Sequence, residues 1–282
     1  MLDREEYIEQ AYFFRALGQR MQSNQATQDL LASLREEVLA TTRLPLALDF
    51  LASELRHSGV LAPAMQRLDH YFTPFQAFVV AEAERERGRF DFLTALEILE
   101  REAQYRADSP TPQGLFIFQF ECLCRNRLGY DHGLGAMARD PIYDEAWREW
   151  ILIVRRQVGL VDFAELLYVR SAHYANQRAR KGIVEPEAED KPALFGEKEG
   201  MIALAHRRKD PLWLFAALER QLGYPTVPRA KRPDESKHIL PLLVRRMERV
   251  EQRIKLLEEE GRGGIDLSRF MPGPTSSPPD DS

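Results

Sequence analysis

Cysteine is nearly missing from this chain: its 282 residues include two, Cys122 and Cys124, set one residue apart in an apolar run. That pattern offers no disulfide framework and points to a reducing compartment, the cytoplasm. Long uncharged apolar runs are missing too, none approaching the roughly 20 residues that span a bilayer, so no membrane partner is expected. The opening MLDREEYIEQ is acidic and leads into no apolar h-region, unlike a secretory signal. Also absent are a P-loop, G-x-S-x-G, H-E-x-x-H and the Rossmann glycine pattern. Nucleotide-cradling, nucleophile-elbow, zincin and dinucleotide chemistry therefore have no motif to rest on, and no cofactor is implied.

What is present is an ordinary folding composition, 44% hydrophobic and 29% charged, long enough for one large or two modest domains. Charge is unevenly spread. Residues 1–110 carry a net charge of -6, whereas residues 201–256 carry 13 Lys and Arg against 6 Asp and Glu. A basic end of this kind attracts phosphate or an acidic protein surface, or is simply a solvated face.

The chain is punctuated by one recurring segment in which Thr or Asp precedes Pro and a Gly follows a dozen or more residues later. It occurs at Thr73-Pro74 to Gly88, Thr111-Pro112 to Gly129, Asp140-Pro141 to Gly159 and Asp210-Pro211 to Gly223. Thr and Asp accept bonds from the orphan N–H groups of a helix start, Pro fits the first helical position, and Gly takes the left-handed turn that ends a helix. Four helices are expected from these marks, three of them followed by a second helix. Ahead of them, apolar spacing predicts helices over 3–22, after a Thr27 cap, over 45–57 with Leu46, Phe50, Leu51 and Leu55 as a stripe ended by Gly59, and from Pro63 to Phe72. In LFIFQFECLC the apolar residues alternate as in a strand, but the Thr111-Pro112 start and the lack of a pairing strand favour a buried helix.

The expected fold is all-α, an irregular array of antiparallel helical hairpins, solenoid-like or bundled, with a long C-terminal helix. A main domain covers 1–181, an exposed linker 182–199, a basic helical region 200–260 and a disordered tail 261–282. The last helix, about 235–260, places Leu240, Leu243, Met247, Val250, Ile254 and Leu257 at heptad spacing, which suits packing on its own chain or dimerisation through 240–257. The phrases GRFDFLTALEILE and LGYDHGLGAMARDP, with Ala164, Tyr168 and Ser171 in a small-large-small pattern, resemble tetratricopeptide-type helical repeats across about residues 74–180. Glu97 and Glu100 depart from that pattern, standing where aromatic and small residues belong. The resemblance implies a curved helical surface that binds peptide segments or other proteins.

Candidate chemistry is sparse. Glu54 and His57 form an E-x-x-H on one helix face, one of the two such pairs that a di-iron carboxylate bundle uses with two further Glu; the other match, Glu235 and His238, lies at the edge of a Pro-rich turn. Cys122, Cys124 and His132 have no usual zinc spacing and read as core. Asp69-His70-Tyr71, and Ser171 with His173, are acid–base or nucleophilic fragments without a recognisable third member. Trp147, Trp150, Ile151, Val154 and Val158 read as a core stripe, beside which Arg155, Arg156 and Arg170 are the candidate contacts to an acidic protein or peptide. For nucleic acid the candidates are Arg207, Arg208, Lys209, Arg229, Lys231 and Arg232, with Trp213 expected inside the apolar WLFAAL run rather than exposed for stacking. The reading is an interaction or scaffold protein inside the cell, with a nucleic-acid-associated protein and a helical enzyme with an unrecognised site as the alternatives.

Overall fold

The computed structural model describes residues 2–22, 26–85, 90–181, 192–229 and 247. Residues 1–230 form one compact unit and 231–282 another, and the described helices other than Met247 all belong to the first. The expected helix at 235–260, its Leu240-to-Leu257 seam, the linker residues 182–191, Lys231, Arg232 and the tail lie outside the described residues.

Among the described residues of the first unit thirteen helices follow one another: α1 (Arg4–Met21), α2 (Thr27–Glu37), α3 (Leu44–Ser58), α4 (Ala62–Arg67), α5 (Pro74–Ala83), α6 (Phe92–Ala107), α7 (Pro112–Asn126), α8 (Tyr130–Met137), α9 (Glu145–Gln157), α10 (Phe163–Tyr168), α11 (Ala172–Arg180), α12 (Glu197–Ala205) and α13 (Pro211–Leu222). The fold is all-α, and among the described residues β-pairing is limited to two isolated bridges, Val158 with Val161 and Ser171 with Phe195. No described helix is long and apolar enough to cross a membrane. Packing joins chain neighbours, such as α2 with α3 and α8 with α9, and also helices far apart in sequence: α1 lies along α6, α5 against α8 and α7 against α13. A strict stack of repeats lacks contacts of the second kind.

The Thr/Asp-Pro punctuation is borne out at three starts. Thr73 and Gln76 form a reciprocal capping box, Thr111 accepts from Gly114 N–H, and Asp210 accepts from Leu212 N–H. Asp140 does something else: Asp140-Pro141 is a turn, and α9 starts at a cap supplied by Asp144, which accepts from Trp147 N–H at 2.9 Å. The ends also differ. Gly59 and Gly223 close α3 and α13 at positive φ as expected, but Arg127, at φ 55°, closes α7, and Gly129 opens α8 instead. α2 is capped at Ala26 with Thr27 already inside it, and Leu46 of the expected α3 stripe is exposed. The continuous helix expected after Gly159 breaks at Val169–Ser171 into α10 and α11, because Ser171 turns its hydroxyl to cap Tyr174 N–H and donates to Tyr168 C=O.

LFIFQFECLC is a buried helix inside α7, with Phe116, Phe118, Phe120 and Cys122 all enclosed. Its aromatics join a cluster with Trp147 and Trp150 of α9, Phe163 of α10 and Phe215 of α13. Phe195, from the segment before α12, meets the same two tryptophans edge-on.

Two buried polar seams cross this core. In one, Gln10 of α1 donates to Tyr71 C=O at 3.1 Å and accepts from Gln76 at 3.1 Å, while the Tyr71 hydroxyl donates to Glu6 at 3.0 Å. In the other, Arg106 of α6 pairs with Asp140 and with Glu102, 2.9 Å away; Gln119 of α7 donates to the same Glu102 oxygen at 2.7 Å and accepts from Tyr143. Glu102 Oε2 is buried without a partner. Burial, only partly offset by Arg106, pushes the Glu102 carboxyl above the ordinary range. A carboxyl whose folded-state pKa is raised contributes stability that is full below its unfolded value, about 4.3, and is lost as pH rises toward the folded value. Glu102→Gln, which cannot ionise, is therefore expected to gain stability relative to the wild type as pH rises through this window. Urea denaturation of both proteins at several pH values checks this, and a difference independent of pH contradicts it.

Candidate functional site

The segment before α10, the first turn of α10 and the turn after α12 form a cleft of about 630 Å³ lined by Val161, Asp162, Glu165, Arg207 and Arg208. The chain makes it from local rules. Asp162 caps α10, one carboxylate oxygen accepting from Ala164 N–H at 3.1 Å and the other from Arg208 N–H at 2.5 Å. The second bond fastens the turn after α12, where Arg208 stands at φ 57°, onto the turn before α10. Glu165, in the first turn of α10, receives Arg207: Nη2 donates to Oε1 at 2.9 Å and Nε lies 2.6 Å from Oε2 without hydrogen-bond alignment. The Arg207 guanidinium covers the Tyr168 ring, 3.9 Å from its centroid, a close cation–π contact.

Behind this stack runs a chain of polar side chains. Tyr168 donates its hydroxyl to Gln177 at 2.8 Å, Gln177 Nε2 meets His173 Nε2 at 3.0 Å, and His173 Nδ1 meets Glu197 at 2.6 Å. Asn176 donates to the other Glu197 oxygen at 2.9 Å. The bonds from His173 and Asn176 hold the Glu197 carboxyl below its usual range. α12 approaches closely here because residue 200 is Gly; a Cβ there would lie 2.3 Å from Ser171 Oγ and 2.6 Å from His173 Cβ.

These groups position one another. Asp162 commits both oxygens to backbone N–H groups, Glu165 faces Arg207, and the buried Ser171 hydroxyl is used within its own turn. The cysteines lie elsewhere, in α7, and burial pushes the Cys124 thiol up to about 11 and that of Cys122 well above its ordinary value. Neither is a thiolate nucleophile at neutral pH.

No protein-family model, curated protein or solved structure matches this chain.

Apolar side chains close in sequence to the cleft residues stand in water. Leu160 and Val161 precede Asp162, with Leu160 85% exposed, and Leu212 and Trp213 follow Arg208 within five residues, with Trp213 60% exposed. This corrects the expectation of a buried Trp213: α13 turns Leu214, Phe215 and Leu218 inward and leaves its first turn outward. Tyr224, the other aromatic of the basic end, is buried and donates to Glu121 at 2.7 Å. Of the basic candidates, Arg207 and Arg208 line the cleft and Lys209 is exposed beside them, whereas Arg229 stands apart, next to the Pro228 carbonyl that Asn126 binds.

The three arginines expected to frame an acidic-peptide site have different surroundings. Arg155 is held by both oxygens of Asp131, at 2.6 and 2.8 Å; Arg156 is exposed; and Arg170 is half-buried near Glu149, its Nε enclosed without a hydrogen bond. Glu54 pairs with Arg67 at 2.8 Å and His57 points to solvent, with no group of three metal-ligating side chains among the described residues. His70 lies 3.9 Å from Asp69, both exposed, while Tyr71 turns inward to Glu6. Sequence reading missed Asp162, Glu165, Tyr168, Gln177 and Glu197. Asp162 carried a legible signal, a cap followed by the apolar-periodic FAELLY; the others become neighbours only through helix packing.

Proposed function

We propose that this chain is an adaptor or scaffold that binds another protein through the corner built by α10, α12 and α13. The observation that carries the reading is Trp213, a large aromatic held in water in the first turn of α13, five residues after the cleft residue Arg208. Tryptophan and arginine dominate the energetic centres of protein interfaces, and clustered apolar groups at a surface mark contact sites. Helices packed around an aromatic core hold such a corner in place. Exposed Trp213 with Arg208 and Lys209 also suits single-stranded nucleic acid. Against that, Arg207 is already engaged by Glu165 and lies over the Tyr168 ring, which takes one of the cations away from a phosphate chain.

The test uses the full chain carrying a photo-crosslinking residue at Leu212, with and without Trp213→Ala, in an extract of its native host. A discrete crosslinked protein is expected from the parent and a loss of at least about tenfold from the Trp213→Ala form, the effect of removing an interface centre. Leu46→Ala, a change at an exposed apolar residue on α3, should leave the crosslink intact. Equal crosslinking with and without Trp213 sinks the reading.

A further inference from the structure

We infer that α6, α7 and α13 frame a binding site for an extended, proline-flanked peptide, and that the chain fills this site with its own residues 224–228. The segment Tyr224-Pro225-Thr226-Val227-Pro228 follows α13, which Gly223 ends at φ 67°, and it is neither helix nor strand. Each Pro fixes its own φ at about −65° and pushes the residue before it, Tyr224 or Val227, into extended backbone. Most of the segment is thus held straight before any contact forms. A proline-rich extended chain turns once in about three residues, and burial follows that period: Tyr224 and Val227, three apart, are buried, while Thr226 between them is exposed.

The seat has the chemistry to recognise such a chain. Tyr224 meets Phe118 of α7 edge-on with ring centroids 6.4 Å apart, and its hydroxyl donates to Glu121 at 2.7 Å with Phe215 C=O of α13 3.0 Å away. Glu121 is 1% exposed and its other oxygen takes Arg125, so one buried carboxylate oxygen is offered to a hydroxyl. Two side chains read main-chain carbonyls: Arg101 of α6 donates to Thr226 C=O, and Asn126 of α7 donates to Pro228 C=O at 3.1 Å. Among the described residues no backbone–backbone hydrogen bond reaches residues 224–229. The segment is held by an aromatic seat and by side chains, as modules that read proline-rich peptides hold their ligands, and not by a helix or sheet ladder. With so few backbone bonds it is also an element that opens locally while the helices stay folded.

The class of ligand follows from the seat. It is a peptide with Tyr-Pro and, three residues after the Tyr, a branched aliphatic side chain followed by a second Pro. The chain's own copy is the built-in competitor that such a peptide displaces. The site shares α13 with the Trp213 corner but none of the residues that line the cleft.

Fluorescence anisotropy of a dye-labelled peptide of residues 223–229, titrated with the full chain, tests this. In the wild type the peptide competes with a tethered copy at an effective concentration of about millimolar, so binding should be weak. The Tyr224→Ala/Val227→Ala chain leaves the seat open and should bind at least about 30-fold more tightly. A peptide carrying Tyr224→Phe, which loses the bond to the buried Glu121 carboxylate, should bind that chain at least about tenfold more weakly. Adding Trp213→Ala to the chain should change nothing, which separates this site from the corner. If circular dichroism shows that the double alanine variant has lost its helices, Pro225→Gly/Pro228→Gly replaces it; this keeps both inserted side chains, loosens only the tethered copy, and should admit the peptide about tenfold more tightly than the wild type. A folded variant that binds the peptide no better than the wild type overturns the inference, because residues 224–228 are then a fixed part of the core. Binding that ignores Tyr224→Phe overturns it as well.

Discussion

Asp140→Ala is expected to cost about 3–5 kcal/mol of unfolding free energy, the penalty of stranding a charge whose partner has been removed. The Arg106 guanidinium is almost wholly buried, and two carboxylates face it, Asp140 by a paired contact and Glu102 at 2.9 Å. Burial opposes the charge on Arg106, but Glu102 and Asp140 outweigh it, and the group stays firmly protonated. Without Asp140, Arg106 is left with Glu102, whose charged form burial disfavours. Ile142 N–H loses its acceptor at the same time. Urea denaturation measures the loss. Asp140→Asn, which can restore the Ile142 bond but not the charge, should recover the smaller part of it. A loss below about 1 kcal/mol for the alanine variant, the worth of an exposed ion pair, means that the guanidinium finds water and the seam is not sealed.

Phe120→Ala is expected to cost a similar amount, about 3–5 kcal/mol, for a different reason: it leaves a hole where four helices meet. Phe120 stacks on Phe163 of α10 with centroids 4.1 Å apart and touches Phe116 of its own helix, Tyr130 of α8 and Phe215 of α13. For a unit of this size the midpoint of thermal unfolding should fall by about 6–20 °C. Phe163 and Phe215 are the inward faces of the two helices that carry the cleft and Trp213. The variant should therefore also weaken binding at the corner while leaving every residue of that surface in place. Phe120→Leu, which fills most of the hole, should restore both. Binding lost with no change in melting would show that Phe120 acts on the corner other than through packing.

Much of the fold was legible because it follows from local chemistry. Thr73, Thr111 and Asp210 cap helices by rules that operate within four residues, and Gly59 and Gly223 end them by a backbone freedom visible in one letter. Where a local signal competed with a distant one, the distant one prevailed. Asp140-Pro141 carries the marks of a helix start, yet its carboxylate goes to Arg106, 34 residues earlier, and Asp144 takes over the cap. Trp213 sits in an apolar run and was assigned to the core, but helical geometry lets such a run face α7 with Leu214, Phe215 and Leu218 while its first turn faces water. The candidate site was the least legible part. Asp162 and Arg208 are 46 residues apart and Glu165 and Arg207 are 42 apart, and no periodicity within either segment records that they meet.

The seam of Glu6, Gln10, Tyr71 and Gln76 has a consequence for how the chain reaches this arrangement. Oil-like contacts between α1, α5 and their neighbours discriminate little between alignments, since apolar side chains of several kinds follow one another along both helices. Amides and carboxylates are not so forgiving: a displacement of one turn, about 5.4 Å, leaves the Gln10 and Gln76 amides facing hydrocarbon with nothing to bind. The seam therefore works as a ruler, making misaligned packings costly and the native alignment distinct from them. Replacing Gln10 and Gln76 together by leucines would give a chain that still collapses but has lost its reference mark.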